Sequence, residues 1–336
     1  KAKMVADVAA EMDLGSGAMT ITPAHSHVDF ELAKKYGFEV VQIIGEDGKL
    51  TSAAGSFAGK DAHEAREEIV SQLAAKGLVD HIDENYVHNL SVCYRCDSPV
   101  QPLPKLQWFI DVNKSFRFRA STHAPVDGIK DGQEVTLKFL MTHVVRSKQI
   151  EIIPERFEKT YFHWIDNLRD WNISRQIWFG HRVPVWYKTD ESNTTYVGVE
   201  APVGDNWQQD PDTLDTWFSA GLWTFSTLGW PDKTDDLRIF HPTTVLETGY
   251  DILFFWVARM VLMTTYVLGE IPFKQVYLHG LVRDEQGRKM SKSLDNVIDP
   301  LDMIKLYGAD ATRLSLVIGA TPGNDSKLSE AKVAGY

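Results

Sequence analysis

Gln275-Val276-Tyr277-Leu278-His279-Gly280-Leu281-Val282, followed shortly by Gly287-Arg288-Lys289-Met290-Ser291-Lys292-Ser293-Leu294-Asp295-Asn296, is the stretch on which the reading of this chain turns. The first run has the apolar, β-branched texture of a strand. The second sets two lysines three residues apart among glycine and serines. Two ammonium groups on a mobile loop suit the dispersed negative charge of a triphosphate in a displacement transition state. A solvated Lys/Ser loop has the same composition, so the pentapeptide alone leaves both readings open.

Upstream, Glu247-Thr248-Gly249-Tyr250-Asp251 precedes the apolar run 252–268. A glycine permits close approach of a sugar or planar group, and Asp251 can accept hydrogen bonds from ribose hydroxyls. Asp251 as the N-cap of a following helix explains the same residue. The apolar run is interrupted by Arg259 and falls just short of spanning length, so it reads as a buried helix rather than a membrane segment. Downstream, Asp299-Pro300 begins a helix and Gly308 closes it. From residue 154 to about 320, strands and helices alternate, as in an α/β nucleotide-binding sheet.

Further toward the N-terminus, 173–184 (ISRQIWFGHRVP) mixes cations with aromatics before a glycine, and 210–219 (DPDTLDTWFS) sets carboxylates beside an aromatic wall. A small amino acid needs a carboxylate for its ammonium and a tight apolar slot for its side chain. An acidic helix N-terminus accounts for the second block equally well. Residues 116–153 alternate in a strand-like way around two Asp-Gly turns.

The first 85 residues read as short alternating elements. Asp13-Leu14-Gly15-Ser16-Gly17 is a flexible turn, residues 28–36 a helix stopped by Gly37, and 38–44 a strand. Residues 61–76 read as a helix with an Asp61/Glu64 capping box and an Ala65, Ile69, Leu73 stripe. Cys93-Tyr94-Arg95-Cys96 is a lone CxxC in a proline-rich linker zone. With His88 the sole nearby nitrogen ligand, it reads as two free thiols; a zinc half-site completed from elsewhere is the alternative.

The 336 residues predict two or three domains, and 43% hydrophobic with 24% charged residues is ordinary globular composition. A net charge of −11 argues against a strongly basic nucleic-acid coat, though not against a local RNA-binding patch. Two cysteines and no signal-peptide pattern lead us to expect a cytoplasmic protein.

Taken together, these blocks resemble the class I aminoacyl-tRNA synthetases, and among them the valyl family. The resemblance rests on 173–184 with Trp186-Tyr187, on 214–219 through 225–231, on 248–256, and on 279–284. It continues in Tyr307-Gly308-Ala309-Asp310-Ala311 and Pro322-Gly323-Asn324-Asp325. It runs from about residue 10 to the end and is weakest over 113–150 and 188–207. It implies a Rossmann-like α/β catalytic domain, here incomplete, with part of an inserted α/β editing domain. The implied partners are ATP with Mg2+, valine and tRNA(Val), with no membrane and no protein-bound metal. Isoleucyl specificity is the near alternative. The implied activity is activation of valine to valyl-adenylate, transfer to tRNA, and hydrolytic editing of threonyl-tRNA.

Residue by residue, the resemblance assigns Lys289 and Lys292 to the pyrophosphate leaving group, with Met290, Ser291 and Ser293 in the same ATP loop. His279, Gly280, Leu281 and Val282 would line the adenine, and Gly249 and Asp251 the ribose. Asp212 would hold the valine ammonium, and Trp217 with Phe179 or Trp178 would wall the side-chain pocket; Phe179 stands where tryptophan is usual. In the editing part, Asp29 would bind the misacylated amino group and Thr22 would line the pocket. Thr20 stands where lysine is common, and Ser26-His27 replaces the usual Asp-Pro. A metal reading of His25 and His27 beside Asp29 finds no support in the family pattern.

The implied division is 1–85 for the later part of the editing domain and 86–153 for a connector. Residues 154–296 would be the second half of the catalytic domain, and 297–336 the start of the stem-contact helical region. The family's His-x-Gly-His turn is not in these residues, and the chain begins at Lys1 without a methionine, so it reads as an internal piece of a larger enzyme. Two other classes are a tRNA-binding, deacylating fragment without aminoacylation activity and a non-catalytic scaffold.

Overall fold

A computed structural model describes residues 3–12, 16–87, 89–93, 96–190 and 194–336, apart from the Ser293 side chain. The Asp13–Gly15 part of the expected glycine turn, His88 and the Ser293 side chain therefore lie outside the described residues. The chain divides into two units, Lys1–Leu106 and Gln107–Tyr336.

In the first unit, helix α1 spans His27–Tyr36, one residue longer than expected. Ser26 caps it by accepting from the Asp29 N–H, and Gly37 in the left-handed region ends it. Helix α2 is Ala65–Ala75, shorter than 61–76. Asp61 does not cap it: its Oδ1 accepts from the N–H groups of His63 (2.8 Å) and Glu64 (3.3 Å), stabilising a turn ahead of the helix. Of the predicted stripe, Ala65 alone is fully buried. The expected strand 38–44 makes a bridge at Ile44↔Leu50 rather than a ladder, closed by bonds such as Gly45 N–H to Lys49 O at 2.8 Å.

The second unit is built on three parallel strands, β1 (Glu151–Ile153), β2 (Thr243–Gly249) and β3 (Phe273–His279), in the order β2-β3-β1. In register, Gly249 lies beside His279 and Tyr277 beside Ile153. Ile152, Leu246, Phe273, Val276 and Leu278 share a buried core with helix α3 (Leu137–Arg146) and helix α6 (Ala258–Val267). Between them in the chain lie α4 (Arg156–Asp166) and α5 (Thr216–Gly221).

The strand-like texture of 116–153 gives way to α3. Leu137, Leu140, Met141, Val144 and Val145 form an i, i+3, i+4, i+7, i+8 stripe that is fully buried, and Thr136 caps the helix. The run 250–267 has the length and hydropathy of a membrane span. Here it folds as a short 3₁₀ turn, a π-turn over Leu253–Val257 and α6, whose side chains pack in the core of this unit. Helix α7 (Pro300–Tyr307) starts on Asp299 with proline in its first turn and ends at Gly308, as read from the sequence. Parallel strands gather their C-terminal ends on one edge of the sheet, where open α/β folds bind ligands. Here that edge carries Gly249 and His279.

Candidate nucleotide and amino-acid site

Gly249 ends β2 and His279 ends β3. A Cβ added at Gly249 would stand 2.8 Å from Asp251 Oδ1, 3.5 Å from Leu281 and 3.6 Å from His279, so glycine keeps this cradle open. Gly280 is required by close packing instead: its Cβ would meet the Asn324 carbonyl at 1.8 Å. The segment behind it is fastened by Asp325, which accepts from Leu281 N–H at 2.8 Å and Tyr250 Oη at 3.1 Å and pairs with Arg283. Burial pushes the Asp325 carboxyl up, but the Leu281 N–H and Arg283 pull it below the usual range. His279 holds Glu247 at 3.2 Å, and Val282 is half-exposed on the following short strand.

The lysine loop leaves this edge through a turn at Asp284–Gly287 and folds back, with Arg283 bridging Lys289. Asp284 is 6% exposed. Its Oδ1 accepts from Arg288 N–H at 2.7 Å, and its Oδ2 from Arg288 Nε at 2.7 Å and Asn296 Nδ2 at 2.9 Å. Burial raises its pKa, but the Asn296 amide and Arg288 outweigh this and hold it at about 2. Lys289 Nζ donates to Asp251 Oδ2 at 2.8 Å. Met290 packs against the small cluster of Met303, Leu328 and Val333. Ser291 donates its N–H to Asn296 Oδ1 at 2.9 Å, and Lys292 opens the next 3₁₀ turn with its side chain exposed. Asp251 is thus bonded to the lysine loop from inside the 3₁₀ turn Tyr250–Ile252, and the N-cap positions of the π-turn and α6 that follow are Ile252 and Val257.

Asp212 lies just after buried Asp210, whose Oδ1 accepts its N–H at 2.9 Å. Asp210 also accepts from Trp108 Nε1 at 2.8 Å and Tyr187 Oη at 2.7 Å; burial, then Asp210, push the Tyr187 hydroxyl up to about 12. Asp212 Oδ2 accepts from Gln176 Nε2 at 2.7 Å. Trp217 stacks on Phe255, centroids 5.9 Å apart, in the π-turn that follows Asp251. Trp178 and Phe179 stand almost fully exposed on the 178–180 bend. The structure therefore brings Gly249, Asp251, His279, Leu281 and Lys289 together, while Trp178 and Phe179 form no wall with Trp217 among the described residues.

Asp215 carries no sequence signal of its own within the 210–219 block. It caps α5 through the Trp217 N–H at 3.0 Å and accepts from Arg175 Nη2 at 2.6 Å and Trp171 Nε1 at 3.2 Å. The buried Arg259 guanidinium lies 3.9 Å over the Trp171 ring. Burial lowers its pKa to about 10, with Asp215 opposing the shift. Asp284, Asn296 and Asp325 sit in recognisable blocks of sequence, but nothing in their spacing marks them as members of a network.

In the first unit, Thr22 and Asp29 meet: Thr22 donates its N–H (2.7 Å) and Oγ1 (3.3 Å) to Asp29 Oδ2, and Asp29 is 6% exposed. His25 Nε2 accepts two backbone N–H groups, from Ile43 at 3.0 Å and Ile44 at 3.1 Å. That leaves this nitrogen no lone pair for a metal. Cys93 and Cys96 are free thiols, and the Ser98 hydroxyl lowers the Cys96 pKa.

The pattern of the class I tRNA synthetases (I, L, M and V) matches residues 101–203 and 201–329. The chain belongs to this family. Among class I relatives it is similar to the valine–tRNA ligase of Clostridium tetani, 44% identical over 335 residues, and to that of Symbiobacterium thermophilum, 46% identical over 335 residues. Each match covers 98% of this chain but 36% and 34% of the relative, so the chain spans about a third of the relatives' length. Among solved class I structures, methionyl-tRNA synthetase of Mycobacterium tuberculosis in complex with methionyl-adenylate is 18% identical, with a TM-score of 0.46, covering 92% of this chain and 53% of that one.

Proposed function

We propose that the chain is the central part of a cytoplasmic valine–tRNA ligase, which activates valine with ATP and transfers it to tRNA(Val). The observation that carries this reading is the convergence of Gly249, Asp251, His279, Leu281 and Lys289 at the C-terminal edge of the parallel sheet. That edge is where an α/β sheet takes a nucleotide.

In this reading ATP enters as its Mg2+ complex, with adenine along 279–282 and ribose at Gly249 and Asp251. A valine carboxylate oxygen attacks the α-phosphorus as the bond to the β-phosphate oxygen breaks. Lys292 and Lys289, supported by the Met290, Ser291 and Ser293 loop, stabilise the charge gathering on departing pyrophosphate. Lys289 reaches that position when ribose hydroxyls replace it on Asp251. Asp212 takes the valine ammonium, and Trp217, stacked on Phe255, takes the side chain. Asp29 takes the amino group of threonyl-tRNA for hydrolysis, with Thr22 holding its carboxylate in place.

The test is pyrophosphate exchange by the full-length protein. Valine-dependent exchange is expected, with Lys292→Ala lowering kcat by roughly 10²–10³-fold. Preference for isoleucine, or an unaffected Lys292→Ala variant, would overturn the assignment. The Thr22–Asp29 contact also favours a deacylating activity within the first unit. Threonyl-tRNA hydrolysis that survives Asp29→Ala unchanged would remove it.

A further inference from the structure

We infer that Asp284 and Asn296 are positioning residues for the lysine loop, holding Lys289 and Lys292 where the nucleotide phosphates arrive. The inference rests on the reading of 287–296 as a phosphate loop. Lys289, Lys292, Leu294 and Asp295 are exposed, and apolar packing on this loop comes from Met290. Besides the Arg283–Lys289 bridge and the Lys289–Asp251 pair, its backbone is tied by one buried carboxylate and one amide.

The Asn296 side chain bonds the backbone on both sides of Met290, accepting the Ser291 N–H at 2.9 Å and donating to the Lys289 carbonyl at 3.3 Å. The same Nδ2 donates to Asp284 Oδ2 at 2.9 Å, which ties the far end of the loop to its beginning. Asp284 is fixed in turn by the N–H and Nε of Arg288, both at 2.7 Å, and by its own N–H to the Arg288 carbonyl at 3.0 Å. Arg288 answers the Asp284 charge locally, so the carboxylate at the loop's base is paired while Lys292 remains exposed. A neutral amide suits the crossing point, since it supplies both the acceptor for Ser291 and the donors for Lys289 and Asp284. The bonds of both residues run to the loop itself, so both act through the two lysines.

The experiment measures valine-dependent pyrophosphate exchange by the full-length protein, with kcat and the KM values for ATP and valine determined separately. Asn296→Ala and Asp284→Ala are each expected to lower kcat/KM for ATP by roughly 10–100-fold, the cost of an ångström-scale misplacement, with KM for valine unchanged. The double alanine variant should be little worse than the poorer single variant, because both break one network. The exchanged pair Asp284→Asn/Asn296→Asp should not recover the loss, since a carboxylate at 296 cannot donate to the Lys289 carbonyl and an amide at 284 leaves the Arg288 charge unmatched. Additive losses, an equal rise in KM for valine, or single variants that match the unaltered protein would overturn the inference. No exchange by the unaltered protein would overturn the phosphate-loop reading first and this inference with it. A measurement independent of variant folding is amide exchange at Ser291 in the unaltered protein. Protection is expected there, and exchange as fast as in an open chain would overturn the clamp.

Discussion

Asp251 has two prospective partners, and its present one is weak. The Lys289 side chain is 63% exposed, and an exposed ion pair contributes only ~0–1 kcal/mol. Ribose hydroxyls can therefore displace it at little cost. Asp251→Ala is expected to raise KM for ATP by roughly tenfold, the loss of a hydrogen bond to a charged group. It should shift unfolding stability by less than about 0.5 kcal/mol, as surface changes do. An ATP titration and a denaturant melt check the two halves separately. Asp284 is the contrasting carboxylate. Its pKa falls from the usual 3.8 to about 2 on folding, so its contribution to loop order is present above 3.8 and is lost as pH falls through 2. Ser291 amide protection, followed at low pH, should fade in that window and not near pH 5. The lysines, Asp251 and Gly249 can be picked out from sequence because each belongs to a short motif. Asp284 and Asn296 cannot, since their meaning arises only when the loop folds back and joins residues twelve apart.

Elements governed by their own neighbours are the ones most readily read from sequence. Asp299, Pro300 and Gly308 start and stop α7 within a few residues, and the helix forms there. Helix α3 is harder to see, because its valines and the preceding Asp-Gly turns suggest strands, while the core around β1 and α6 selects the helical stripe. Leu140, fully buried in that stripe, should cost about 2–5 kcal/mol on Leu140→Ala, measured by denaturant unfolding. Helix α5 depends on one side chain. Asp215 supplies its cap, receives Trp171 Nε1 and pairs with an Arg175 that is 38% exposed. Asp215→Ala removes the cap and leaves those donors unmatched, with an expected loss of about 3 kcal/mol, near the lower end for breaking a buried pair. Because α5 carries Trp217, fluorescence of that region should change alongside stability.

At the scale of the molecule, the two units differ in how much apolar surface they bury. Among the described residues, the fully buried apolar side chains of Lys1–Leu106 are Ala24, Ala33, Leu50 and Ala65, three of them alanines. The Gln107–Tyr336 unit buries Phe118, Leu140, Met141, Ile152, Tyr161, Phe225, Met260 and many more in one continuous cluster. An alanine contributes little to the hydrophobic term, whereas each large buried side chain contributes about 1.5–3 kcal/mol. The first unit is held chiefly by local hydrogen bonds, such as Thr22 to Asp29 and the two N–H groups on His25. Networks of that kind open locally at lower free energy than a packed core. Hydrogen exchange on the chain should therefore show α1 exchanging through openings well below the global unfolding free energy. The α6 amides should be protected up to the full unfolding free energy of their unit. Equal protection of α1 and α6 would mean that buried apolar area does not set the order of opening here. The expected order also bears on function: a hydrolytic pocket around Asp29 would rest on a loosely held unit, while the nucleotide edge of the sheet would rest on the firmly held one.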